Sequence, residues 1–185
     1  MRELSEGLLL YHGSYTEVRN IDLARCASGK DFGRGFYLTT DYEQARNFVA
    51  LSVRKHRAIS GEEVSGGYVS VYRLMHPEKL LFYTFPDADD RWLHFVAANR
   101  RGDLFASLLE ELDGFDVIAG KIANDQTART LQLYLSEAFG KPGTAQADRL
   151  AVSTLLPNRL SDQYCFRTKK SINHLVFEGS TVCEG

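Results

Sequence analysis

Several kinds of segment are missing from this 185-residue chain. No apolar run approaches the roughly 20 residues of a membrane-spanning helix, so no membrane association is expected. The cysteines, Cys26, Cys165 and Cys183, are three and unclustered. No Cys/His spacing suits zinc, so no metal is expected, and free thiols are the simplest state. Cys165 lies in an apolar run and reads as packing. No Gly-x-Gly-x-x-Gly follows a strand, which leaves the Rossmann route to a dinucleotide unsupported. Charge of one sign is lacking too: 22 Lys and Arg stand against 24 Asp and Glu, a formal net of -2. That argues against a nucleic-acid partner. The basic run Arg54-Lys55-His56-Arg57 reads as a solvated helix face. Residues Met1 to Gly7 carry acids and lack the form of a usual signal peptide, so a cytoplasmic location is expected. Internal repeats, low-complexity blocks and long linkers are absent, and residues 1–185 are expected to form a single domain.

What is present is enough for a core, with 44% hydrophobic residues. Gly7 to Tyr11 reads as a strand closed by a His-Gly-Ser turn, and Phe36 to Thr39 as a short strand. Thr40-Asp41-Tyr42-Glu43 is an N-cap signature opening a helix to about Ala58, with Ala45, Phe48, Val49 and Val53 on one face. Tyr68 to Leu74 alternates as a strand, and Leu80 to Phe85 is a second strand-like run. Asp89 to Asn99 predicts a helix with Trp92, Leu93, Phe95 and Val96 inward. Phe115 to Ala119 predicts a buried strand. Asp125 to Phe139 and Gln146 to Leu156 read as helices, the latter broken by Pro157. Gln163 to Arg167 reads as a strand, Lys169 to Asn173 as a short helix, and His174 to Glu178 as a last strand. Strands and helices alternate without βαβ regularity, which predicts an α+β fold with mainly antiparallel strands.

Two segments carry the chemistry. Tyr11-His12-Gly13-Ser14 puts a histidine in a tight turn at a strand end. Phe32-Gly33-Arg34-Gly35-Phe36-Tyr37-Leu38 follows about twenty residues on and puts a tyrosine after two glycines. An imidazole can bond a ribose hydroxyl, a glycine lets its backbone approach a carboxamide, and an aromatic ring can stack on a flat heterocycle.

These segments resemble the His-Tyr-Glu class of ADP-ribosyltransferases, the branch of diphtheria toxin and the poly(ADP-ribose) polymerases. Leu10 to Ser14 resembles its first strand. Gly33 to Leu38 resembles its Gly-x-Gly-aliphatic-Tyr-Phe segment. Asp162-Gln163-Tyr164-Cys165-Phe166 resembles its third segment, where Asn-Glu-Tyr is usual. The whole chain also resembles a related bacterial domain family of unknown function. That likeness lies in Trp92-Leu93-x-Phe95-Val96 with Asn99-Arg100, in Gly120-x-x-Ala123-Asn124-Asp125, and in Gln163-Tyr164-x-Phe166-x-Thr168.

The resemblance implies a split-sheet ADP-ribosyltransferase-like fold with peripheral helices, and NAD as substrate. It implies that His12 binds the adenosine-side ribose, that Gly13 meets the nicotinamide amide through its backbone, that Ser14 bonds nearby, and that Tyr37 stacks on the nicotinamide. Gly35 belongs to the same cofactor-binding set, and Arg34 is a candidate for the diphosphate. The reaction passes through an oxocarbenium-like state, as in glycoside hydrolysis. Here the chain departs from its relatives, because the usual Glu is Gln163. A carboxylate about 4 Å from the forming cation contributes about 4 kcal/mol at an effective dielectric of about 20, about a thousandfold in rate. Gln163 and Asp125 are the candidate catalytic residues, Asp125 being the favoured substitute acid and Asp162 a weaker one; Asp125 also suits a helix N-cap.

The resulting expectation is a mono-ADP-ribosyltransferase acting on a protein side chain. The alternative is a catalytically weak or inactive domain that binds NAD or ADP-ribose. An RNA 2′-phosphotransferase on the same fold is disfavoured by the net charge. A pure interaction module would leave His12 and Tyr37 unexplained. By analogy with relatives that act as toxins or effectors, a secreted effector is the alternative location.

Overall fold

The computed structural model describes residues 3–122, 125–155 and 161–184. Among these residues seven strands form two sheets. β1 (Leu9–Ser14), β3 (Gly66–Leu74) and β7 (Leu175–Glu184) make the first, in the order β1-β3-β7, antiparallel throughout. β2 (Phe36–Leu38), β6 (Asp162–Phe166), β5 (Val117–Lys121) and β4 (Phe82–Thr84) make the second, in the order β2-β6-β5-β4. Its β4–β5 pair is parallel, the others antiparallel. A parallel pair needs a long crossover, which α2 (Asp90–Arg100) and α3 (Ala106–Leu112) supply. The fold is therefore α+β with mostly antiparallel sheets, as the sequence predicts.

Apolar alternation places the core. Leu10, Phe36, Tyr72, Tyr164 and Phe166 are buried between the two sheets. On the far face of the second sheet, Ile118 and Cys165 pack under Trp92, Leu93, Phe95 and Val96 of α2, all fully buried. α4 (Asp125–Leu135) and α5 (Ala145–Leu155) close the same layer through Leu131, Tyr134 and Ala151. α1 (Tyr42–Ser60) covers the first sheet with Ala45, Val49 and Val53 against Val69. Its N-cap is Asp41, whose side chain accepts from the Gln44 N–H at 3.2 Å, and it ends at Gly61 with φ 72°. No helix among the described residues is long and apolar enough to cross a membrane.

The structure departs from the sequence reading at four places. His12, Gly13 and Ser14 form no turn but are the last residues of β1, paired with Ser70, Val69 and Tyr68 of β3. Phe48 does not join the α1 core face; it is 41% exposed and borders the cleft described below. α3 has no signal at its start, because its N-cap is Phe105, left-handed at φ 52° with no capping side chain. β7 runs six residues past Glu178. Gly179 pairs with Val71 but Phe177 with Tyr72, so an extra residue on β7 forms a bulge that carries the strand onward.

Among the described residues a single backbone bridge joins the two sheets. Tyr11 N–H donates to Thr39 C=O at 2.8 Å, and Thr39 N–H donates to Tyr11 C=O at 3.0 Å. Beyond it, a cleft of about 940 Å³ opens, walled by residues of β1, β2 and α1. Gly13 sets how closely α1 approaches, since a Cβ there would stand 1.9 Å from the Ala45 carbonyl oxygen. Gly13→Ala is expected to cost roughly 1–3 kcal/mol by overpacking. Gly114→Ala, where an added Cβ meets nothing within 4 Å, serves as control. Urea unfolding measures both, and equal midpoints would contradict the tight packing at Gly13.

Candidate functional site

The cleft gathers His12, Gly13, Ser14, Gly35, Tyr37 and Gln163 on its walls. His12 and Gly13 come from β1, Tyr37 from β2 and Gln163 from β6. Strand alternation explains how Gly13 is presented. Tyr11 uses its N–H and C=O on Thr39, away from β3, while Leu8 C=O accepts from Leu74 N–H at the start of β3's partner edge. Backbone groups two residues apart point off the same edge of a strand. The N–H and C=O of Gly13 are therefore directed like those of Tyr11, toward the opening between the sheets.

His12 spans the junction. Its Nδ1 lies 2.8 Å from the Tyr37 carbonyl oxygen. A carbonyl only accepts, so Nδ1 carries the proton, and in the neutral ring Nε2 is an acceptor. Burial holds the imidazole below its ordinary pKa, against the bond to Tyr37, which raises it. The ring packs against that of Phe36, tilted by 35° with centroids 4.4 Å apart. A neutral imidazole with Nε2 as acceptor is suited to a hydroxyl donor.

Tyr37 is anchored at its tip. Its hydroxyl donates to Gly33 C=O at 2.8 Å and accepts from Phe32 N–H at 2.9 Å. Burial, then the adjoining Cys165 thiol, holds the phenol well above its usual range, so it stays a neutral donor. Gly33 makes the turn at φ 80°, a left-handed conformation that favours glycine. Gly35 sits where a Cβ would lie 2.4 Å from the Cys165 Sγ. Both glycines thus have packing reasons of their own. Ser14 is buried on the cleft wall, its Oγ 3.5 Å from Thr16 N.

Other expectations are placed differently. Arg34 is exposed on its loop and does not line the cleft. The cations that do are Arg19, Arg25, Lys30, Lys55 and Arg100. Asp162 faces away from Gln163 by strand alternation and pairs with Lys121 Nζ at 2.9 Å. Asp125 opens α4, but its side chain lies outside the described residues, as do residues 123 and 124 of the same motif and Pro157.

The carboxylate beside Gln163 is Asp31, which the sequence reading passed over. Gln163 Nε2 lies 3.3 Å from Asp31 Oδ2. Arg100, the last residue of α2, bonds Asp31 Oδ1 through Nη2 at 2.6 Å and Nε at 3.2 Å. Asp31 and Gln163 are both buried, and all three residues border the cleft. The Asn99-Arg100 dipeptide braces this loop: Asn99 Nδ2 donates to Phe95 C=O at 2.9 Å, and its Oδ1 packs against Gly33. The available signal was an acid directly before Phe32-Gly33, together with an arginine in a motif of its own. Away from the cleft, Glu6, His76 and Glu78 form an exposed group with ligand atoms within 4.8 Å of one another.

Residues 8–177 match a family model described as "Protein of unknown function (DUF3990)". No curated protein and no solved structure matches the chain.

Two outcomes test this geometry. Tyr37→Phe leaves Phe32 N–H and Gly33 C=O without their shared partner, and is expected to cost roughly 1–3 kcal/mol. Amide exchange should quicken in residues 31–35 and stay slow in β6; unchanged exchange there would refute the anchoring. The second is a pH effect. The folded protein disfavours charged His12, so between its folded and unfolded pKa values the unfolded chain binds more protons. This contribution to stability is complete above the ordinary value of 6.5 and is lost as pH falls below it. His12→Gln should flatten the fall in urea midpoint between about pH 7.5 and 5; parallel curves would exclude it.

Proposed function

We propose that this chain, which belongs to that family of unknown function, binds NAD in the cleft and is a mono-ADP-ribosyltransferase. In this reading the split sheet is an ADP-ribosyltransferase-like fold. The C–N bond between nicotinamide and ribose breaks, and its electron pair leaves with nicotinamide. A nucleophilic side chain of an acceptor protein then bonds the ribose carbon and gives up its proton to solvent. The leaving group starts cationic, so no strong general acid is needed, and the work is positioning and charge stabilisation.

The observation that carries the reading is His12 bonded to the Tyr37 carbonyl across the junction of the sheets, on the wall of the cleft. The volume of about 940 Å³ suits a dinucleotide-sized ligand. His12 Nε2 accepts from a ribose hydroxyl. The Gly13 backbone meets the carboxamide, with Ser14 beside it. The Tyr37 ring stacks on nicotinamide. Gly35 permits the close strand contact behind it. Lys30, Lys55 and Arg25, three of the cations on the wall, replace Arg34 as diphosphate partners. Gln163 bonds a ribose hydroxyl.

One observation favours a second reading, an NAD- or ADP-ribose-binding domain with little turnover: residue 163 is uncharged. Calorimetry with NAD, nicotinamide release and transfer of labelled ADP-ribose to candidate proteins separate the two. The transferase reading expects binding, release and labelling, with His12→Ala weakening NAD binding at least about tenfold through the lost hydroxyl acceptor. Binding without release or labelling would favour the second. No heat with NAD at millimolar concentration, and no release, would sink both.

A further inference from the structure

We infer that the site's negative charge resides on Asp31 and acts through Gln163, so that an Asp–Gln pair does the work that one glutamate would do at position 163. The inference rests on the NAD-transferase reading above and deepens it.

Asp31 can only accept, so the Gln163 atom facing it is the amide nitrogen. That fixes which way the amide is turned and commits Oε1 to accepting from a donor. A carboxylate accepting from an amide N–H also polarises the amide and strengthens its oxygen as an acceptor. Gln163 is then a directed, charge-assisted acceptor for a ribose hydroxyl, and the ribosyl cation forms close to a buried anion.

Arg100 fits this role better than that of a simple clamp. Both of its bonds go to Oδ1, while Oδ2 accepts from Gln163. A buried ion pair adds little stability by itself, because desolvation offsets the attraction. It does hold the carboxylate in one orientation. Arg100 comes from the end of α2, whose Trp92, Phe95 and Val96 are fully buried, so the guanidinium is positioned by the core. A glutamate at 163 would face Asp31 at about hydrogen-bond distance, and two carboxylates at that separation do not both ionise. Glutamine at 163 is what a site with its anion at 31 requires. Asp31 is in this sense a positioning residue, and Gln163 the group that touches substrate.

The test moves the charge. Wild type, Asp31→Asn, Gln163→Glu and the double variant Asp31→Asn/Gln163→Glu are compared by NAD calorimetry, by kcat and KM for nicotinamide release, and by melting temperature. Asp31→Asn should lower kcat by roughly 10- to 1000-fold and change NAD affinity little. Gln163→Glu should be destabilised at neutral pH and regain stability as the pH is lowered and one carboxylate takes up a proton. The double variant carries one carboxylate again and should recover kcat at least about tenfold over Asp31→Asn. Wild-type kcat in Asp31→Asn, or a double variant no better than it, would overturn the inference while leaving the transferase reading intact. If Asp31 merely braces its loop, or if Asp31→Asn fails to fold, the double variant lacks the same brace and shows no recovery, which also overturns it. A wild type that neither binds NAD nor releases nicotinamide fails earlier, at the transferase reading, and takes the inference with it.

Discussion

Tyr11 and Thr39 exchange two backbone hydrogen bonds, and the placement of the cleft follows from that exchange. Among the described residues it is the one backbone bridge between the three-stranded and four-stranded sheets. On one side of it, their apolar faces close on Leu10, Phe36, Tyr72 and Phe166. On the other side, the strand edges part. Polar backbone that would ordinarily be consumed by a neighbouring strand is turned toward a space large enough for a ligand. His12 crosses that parting with a single bond to Tyr37, so the site is assembled at the seam of the sheets, where loops alone would hold it less firmly.

Helix α1 reinforces the seam from behind. Its contact with β1 is close enough that the Ala45 carbonyl occupies the space a side chain at position 13 would need. The same glycine therefore satisfies two demands: an approach of helix to strand, and a backbone exposed to the cleft. A motif glycine read only as a ligand contact, or only as a packing residue, would be half understood.

Much of the architecture is legible in the sequence because its cues are local. The alternation of Tyr68 to Leu74, the cap at Asp41 and the apolar face of Asp89 to Asn99 each state an element within one short window. His12 and Tyr37 are legible for a related reason, since each sits in a compact segment with its own glycines. Other features were hidden for identifiable causes. α3 lacks a cap and begins at a left-handed phenylalanine. The last strand outruns its expected end at Glu178, because a bulge takes up that residue and Gly179 pairs with Val71. Phe48 obeys the helical period yet is half-exposed on the cleft border. The carboxylate beside Gln163 was the hardest to find. Asp31 and Gln163 are 132 positions apart in the chain, and Asp31 looks like any loop acid until Arg100 and β6 are folded around it. Asp162, adjacent in sequence, is on the wrong face of its strand.

The hydroxyl of Tyr37 holds the backbone on both sides of the Phe32–Gly33 peptide, taking a proton from one group and giving one to the other. The ring is thereby a lever with a fixed end. Turning it aside would break both bonds and open the turn that leads back to Asp31. Whatever flat molecule rests against that ring meets a surface whose tilt was settled during folding. The hydroxyl's two bonds also tie the ring to the segment that carries Asp31, so the shape of this cleft wall and the position of that carboxylate are set together.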